Sequence, residues 1–158
     1  MRSAEATPPK AEQETAAPIA SAKKLKVIGR PGLLEVDYGD WQDKTLKQLR
    51  RRKLWKTVQG APSQARFPGG ESFVEAQTRI AEEIIALSRM HKPGDMIACV
   101  GHSDMIKLAA AYFTGMPLDH FQRLVVQPAS VTTLHLHPGH GARLVNLNTI
   151  PYQLKEEG

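Results

Sequence analysis

The stretch "VGHSD" (Val100 to Asp104) sets a histidine and a serine between an apolar run, "DMIAC", and an apolar helical pattern, "MIKLAAAYF". When a strand gives way to a helix through a short turn, the turn residues stand at the carboxyl edge of the sheet, where open α/β folds take ligands. The N-terminus of the following helix offers backbone N–H groups and a potential that favours an anion. A histidine there can donate to a phosphate oxygen or accept from its hydroxyl, so His102 is a candidate for anion chemistry. The competing reading is a helix capped by Ser103 or Asp104, with His102 as a polar turn residue. Glu35 is the second candidate. In "LLEVDYGDW" it follows two leucines and precedes a valine. A partly buried carboxyl has a raised pKa and can hold a proton for a leaving group. Its alternative is an exposed loop acid.

Two further groups invite chemistry, and each has a plainer reading. The basic run Lys47, Arg50, Arg51, Arg52, Lys53 and Lys56 could meet nucleic acid, yet Leu46, Leu49, Leu54 and Trp55 share the segment, as on a helix with one solvated and one packed face. No recognised nucleic-acid motif accompanies it, so nucleic acid is the weaker expectation. The histidines His135, His137 and His140 suggest a metal, but no cysteine or acid stands near them at ligand spacing. They read as structural or surface histidines, and no metal is expected. Cys99, the single cysteine, lies in an apolar run and reads as a buried, inert thiol.

The elements that must position these residues are legible from periodicity and turn chemistry. Residues 1–10 carry two prolines and no apolar period, so a disordered start is expected. The alanine-rich Ala11 to Lys24 reads as a short helix with Pro18 near its beginning or at a kink. "LKVI" (Leu25 to Ile28) reads as a strand and Lys44 to Val58 as one basic helix. Glu71 to Met90 is the clearest helix, with Phe73, Ile80, Ile84 and Leu87 on one face. Met96 to Val100 reads as a buried strand. Helices follow over Ser103 to Thr114 and around Leu118 to Leu124, and "SVTTLHLH" and "ARLVNLN" read as strands joined across "PGHG". Residues 155–158 read as a loose tail. Alternating helices and buried strands indicate an α/β fold with a mostly parallel sheet.

The whole composition narrows the class. At 158 residues the chain holds one sizeable core. Its apolar fraction of 41% and charged fraction of 23% are those of an ordinary globular protein. No stretch approaches the roughly 20 apolar residues that span a bilayer. One cysteine and no apolar leader fit a cytoplasmic location without membrane contact. A formal net charge of +5 favours anionic partners without choosing among them.

In order and spacing, "QETAAPIA" (Gln13 to Ala20), "LLEVDYGDW" (Leu33 to Trp41), "FPGGES" (Phe67 to Ser72) and "VGHSDMIK" (Val100 to Lys107) resemble the histidine phosphatase superfamily. Within it they resemble the broad-specificity phosphatase branch. The resemblance implies a three-layer, phosphoglycerate-mutase-like domain over residues 11–154, and phosphomonoester hydrolysis through a phosphohistidine without a cofactor. By matching motifs His102 resembles the family's second histidine and Glu35 its acid. Tyr38 stands at a family aromatic position that lines the substrate side, and Ser103 offers a backbone N–H to phosphate.

The family's nucleophile lies in an Arg-His-Gly motif, and no Arg-His pair occurs in the sequence. The family pattern Ser-Pro-x-x-Arg-Ala corresponds to "TPPKAE", with Ala11 at the arginine position. The resemblance therefore implies a domain truncated at its N-terminus and impaired in turnover. A phosphorylated small molecule or inorganic phosphate is the expected ligand, and a non-catalytic phosphate- or partner-binding module is the alternative. In the family the Arg-His-Gly strand lies beside the strand that ends at His102. Its loss implies a filled slot, by a rearranged N-terminal segment, a second copy or another chain. The expected result is a homo-oligomer with strand contact near Met96 to Val100.

Overall fold

Ser3–Ala6 forms the first strand, β1, and it lies between β2 (Val27–Gly29) and β3 (Ile97–Val100) in a parallel sheet of order β2-β1-β3. The register is set by Ala4 against both Val27 and Ala98, and by Ala6 against both Gly29 and Val100. Within the start expected to be disordered, residues 3–6 form a strand instead: pairing on both edges satisfies a backbone that composition alone marked as unstructured. The computed structural model describes residues 3–6, 10–137 and 141–150. The expected tail at 155–158, the end of the expected domain at 151–154 and His140 lie outside them.

Helix α1 (Lys10–Lys23) returns from β1 to β2 and contains Pro18. Lys24 adopts a left-handed φ of 54° and Leu25 N donates to Ala20 O at 2.8 Å, which closes the helix. The basic segment is two short helices, α2 (Leu46–Leu49) and α3 (Leu54–Gly60), where one was expected. A continuous helix would stack Lys47 on Arg50 and Arg51 at i, i+3 and i, i+4, pairs of like charge that disfavour it. Arg50, Arg51 and Arg52 instead form an exposed turn.

Helix α4 (Phe73–Met90) starts where a capping box places it: the Ser72 hydroxyl accepts from Glu75 N, and the Glu75 carboxylate accepts from Ser72 N at 2.8 Å. Its buried face is Phe73, Ala76, Ile80, Ala81 and Leu87, with Ile84 packed at the margin. Helix α5 (Ser103–Thr114) follows β3 directly and ends at Gly115, whose φ of 68° is the left-handed conformation that glycine supplies without strain. A 3-10 turn at Leu118–Arg123 leads to an antiparallel pair, β4 (Val131–His137) and β5 (Gly141–Thr149).

The core lies between α4, α5 and the loops on their outer side. Phe67 is its hub: its ring meets Tyr38, Trp41 and Phe73 edge-on at centroid distances of 5.0, 5.2 and 5.2 Å. Each such pair adds roughly 0.5–1.5 kcal/mol beyond the area it buries. Phe121 packs behind Phe73 at 4.9 Å, its ring tilted by 55°, and Leu108 of α5 is fully buried. The β3 side is less covered, and here a second expectation is corrected. Cys99 is exposed rather than buried, and Met96 just before β3 is 64% exposed. Among the described residues β3 has β1 along one edge and no strand along the other. Parallel strands become buried only when flanked and covered on both faces.

Candidate active site

Three separate elements converge at the carboxyl end of β3. His102 is the N-cap of α5, with φ −86° and ψ 157°, and its carbonyl accepts the first helical bond from Ile106 N at 3.0 Å. No side chain caps this helix, so neither Ser103 nor Asp104 serves as its cap. Ser103 opens the first turn, and its hydroxyl donates to Val126 O at 3.1 Å, away from the helix end. Its backbone N–H remains at the helix N-terminus, where an anion is favoured.

Glu35 reaches the same point from the loop after β2. Its Oε2 lies 3.2 Å from His102 Nδ1, while Oε1 accepts from Val36 N at 2.9 Å. Burial raises the Glu35 pKa above the ordinary carboxyl value; the Val36 N–H and His102 oppose that rise, and the nearby carboxylates of Asp104 and Glu12 add to it. A carboxyl of this kind keeps its proton to a higher pH than a surface glutamate and can surrender it within the site.

Tyr38 is joined to the site through α5. Its hydroxyl donates to Asp104 Oδ2 at 2.8 Å, and Asp104 Oδ1 in turn accepts from Lys107 Nζ at 3.0 Å. Burial, reinforced by Asp104, holds the Tyr38 phenol well above its usual range, so it acts as a fixed donor. The four residues singled out by sequence are therefore brought into one neighbourhood, Glu35 and His102 in direct contact and Tyr38 and Ser103 beside them.

Glu12 is the residue at this site that sequence reasoning missed. It sits in the first turn of α1, only 5% exposed, and its Oε1 is in ion-pair contact with His102 Nε2. The contact is not aligned as a hydrogen bond, and Glu12 Oε2 is buried without a hydrogen-bond partner. His102 thus has a carboxylate oxygen at each ring nitrogen. Glu12 directly follows Ala11 in the motif match, and its position in the first turn of a helix was the one available signal.

Lys47, Arg50, Arg51, Arg52, Lys53 and Lys56 are exposed, and Trp55 beneath them stacks on Trp41 at 6.2 Å. The His135 and His137 rings lie 6.3 Å apart on β4. Among the described residues no cluster of three or more His, Cys, Asp or Glu is placed to hold a metal, and no helix is long and apolar enough to cross a membrane.

Solved structures share the fold. Bacillus stearothermophilus YhfR is similar with a TM-score of 0.87 at 22% identity, over 96% of this chain and 75% of that one. The alpha-ribazole phosphatase from Shigella flexneri is similar with a TM-score of 0.78 at 22% identity, over 96% and 76%. The mycobacterial glucosyl-3-phosphoglycerate phosphatase in complex with inorganic phosphate is similar with a TM-score of 0.81 at 21% identity, over 94% and 77%. No curated protein matches in sequence. At these identities the structures establish the α/β fold. A family model described as histidine phosphatase superfamily (branch 1) matches residues 6–150, which include Glu12, Glu35, Tyr38 and His102. With residues 6–150 of the chain matched, the chain belongs to the histidine phosphatase superfamily.

Proposed function

We propose that the His102 site binds a phosphomonoester or inorganic phosphate and that Glu35 is its proton donor. The observation that carries this reading is the 3.2 Å contact of Glu35 Oε2 with His102 Nδ1 at the uncapped N-terminus of α5. An ester phosphate there would meet the imidazole and the first N–H groups of the helix, Ser103 included. As a water oxygen forms a new bond to phosphorus and the P–O bond to the leaving oxygen breaks, the Glu35 carboxyl gives its proton to that oxygen, which departs as the alcohol, while the water's protons stay with the released phosphate. Tyr38 borders the substrate side through its bond to Asp104. A similar mycobacterial phosphatase has been captured with phosphate and another complex of it with VO3, which supports a phosphate-class ligand.

Turnover is a separate matter. No Arg-His dipeptide occurs in the sequence, and the resemblance assigns the phosphoryl acceptor to one. The chain alone is therefore proposed to bind phosphate while hydrolysing slowly, because positioning without a nucleophile recovers only part of the rate. The carboxylates at both His102 nitrogens favour the same view, since an incoming anion must compete with them. Following the His102 imidazole by NMR during a phosphate titration tests the site. The expected dissociation constant is millimolar, about 4 kcal/mol. No response at tens of millimolar would remove His102 as a phosphate ligand. In parallel, hydrolysis of an aryl phosphate is expected near background. Robust turnover lost in His102→Ala would show that His102 itself accepts the phosphoryl group.

A further inference from the structure

Arg79 lies on α4, away from the imidazole, yet its guanidinium is wrapped by the loop that carries Glu35. Nη1 donates to the carbonyls of Gly32 at 3.1 Å and Leu34 at 2.9 Å, with Pro31 O at 3.3 Å, and Nη2 donates to Glu35 O at 3.2 Å. The other side of the fork meets the Glu71 carboxylate, Nη2 to Oε1 at 2.6 Å and Nε to Oε2 at 3.3 Å. Glu71 extends the clasp, because its Oε1 also accepts from Asp37 N at 2.9 Å and its own N donates to Asp37 O at 3.0 Å. One cation thus satisfies successive carbonyls on the near side of the acid, and its carboxylate partner holds the residue two places beyond it.

We propose that Arg79, clasped by Glu71, is the positioning residue that fixes the Glu35 carboxyl against His102. The proposal rests on the reading of Glu35 as the proton donor, but its geometry is independent of the ligand. An irregular loop has no ladder to hold its carbonyls, and a fork of five donors is the one side chain able to satisfy several of them from a single point. Lysine keeps the charge but offers a compact ammonium, which can serve part of that ring and not the whole of it. The groups facing Glu35 are His102 and Asp104 from the α5 turn and Glu12 from α1. Arg79 touches the loop's backbone rather than the carboxyl, so its effect on Glu35 is through placement.

The test is a cycle read on the His102 imidazole resonances of the full chain by NMR. In the parent, Glu35→Gln is expected to shift those resonances, reporting their contact. In Arg79→Lys the same Glu35→Gln change is expected to shift them by no more than roughly half as much, because the carboxyl is no longer held in place. Glu71→Gln, which leaves the guanidinium in the loop, is expected to fall between the two and serves if Arg79→Lys does not fold. An undiminished shift in a cooperatively folded Arg79→Lys or Glu71→Gln chain would overturn the proposal. So would loss of the cooperative melt in both variants, which would make Arg79 a requirement of the whole fold. Phosphate affinity does not enter this readout, so failure of the phosphate site leaves it interpretable.

Discussion

Glu35 carries the site's most informative titration. Its folded pKa is raised, chiefly by burial, so its contribution to stability is fullest at low pH and is lost as pH rises through the folded value. Above that point the fold holds an ionised, partly buried carboxylate. Glu35→Gln deletes the ionisation, and its stability should therefore fall less than the parent's between acidic and neutral pH. Paired denaturant melts across that range check this, and parallel profiles would show that Glu35 is solvated. The same carboxylate opposes an anion at His102. Sulfate, whose charge is constant over this range, is therefore expected to bind more tightly as pH falls through the Glu35 midpoint. The sulfate affinity of Glu35→Gln should vary much less with pH. Both His102 and Glu35 were legible in sequence because each announces itself locally, one at a strand-to-helix turn and the other as an acid among apolar neighbours. Glu12 was not, since its meaning comes from a contact with a residue far along the chain.

The helices and loops show where local rules suffice. Ser72 and Glu75 spell a capping box, and the start of α4 falls where they place it. Ser72→Ala should cost about 1 kcal/mol, roughly a 2–4 °C loss in Tm for a chain of this size. Glu75, held to about 2 by the Ser72 N–H and by Arg66, contributes stability above its ordinary value of 4.5 that is lost as pH falls towards 2. Glu75→Gln should flatten that acid limb of the stability curve. Gly70 is a case that no local rule reveals. A Cβ there would stand 2.2 Å from Asp37 O and 2.7 Å from Gly39 N, both backbone atoms. Gly70→Ala should therefore cost about 1–3 kcal/mol and disturb the loop bearing Glu35 and Tyr38, read as a lower melting midpoint together with displaced His102 imidazole resonances. The clasp of Arg79 escaped sequence reading for the same reason. Its partners on the loop are backbone carbonyls, which have no letter in the sequence. The break between α2 and α3 escaped because apolar spacing continues through it while the charges do not tolerate it.

At the scale of the whole molecule, the α/β class and most elements followed from periodicity, whereas β1 did not. Its four residues carry no apolar period and become a strand only because two partners flank them. The sheet that results ends at β3, whose outer edge has no neighbouring strand among the described residues and whose surroundings include the exposed Met96 and Cys99. An apolar strand edge left open is a template for pairing with another chain. Self-association through Met96 to Val100 is therefore expected. Light scattering, with denaturant melts at several protein concentrations, checks it; a monomer with a concentration-independent melt would show that the edge is protected. A Lys placed at Ala98 should weaken the association if it runs along this edge.

The position of β1 also sets an order of events during synthesis. β1 and β2 are close in sequence and can pair around α1 early, but β3 is made roughly ninety residues after β1. At translation rates of about 5–20 residues per second, β1 waits on the order of 5–20 s for its second partner. Throughout that interval the ribosome-bound chain carries a strand with one bare flank, and His102 has not yet been made to meet Glu12. The two halves of the site are joined by the last pairing of the sheet, so a nascent chain arrested before Val100 leaves the ribosome should hold Glu12 and Glu35 with nothing between them.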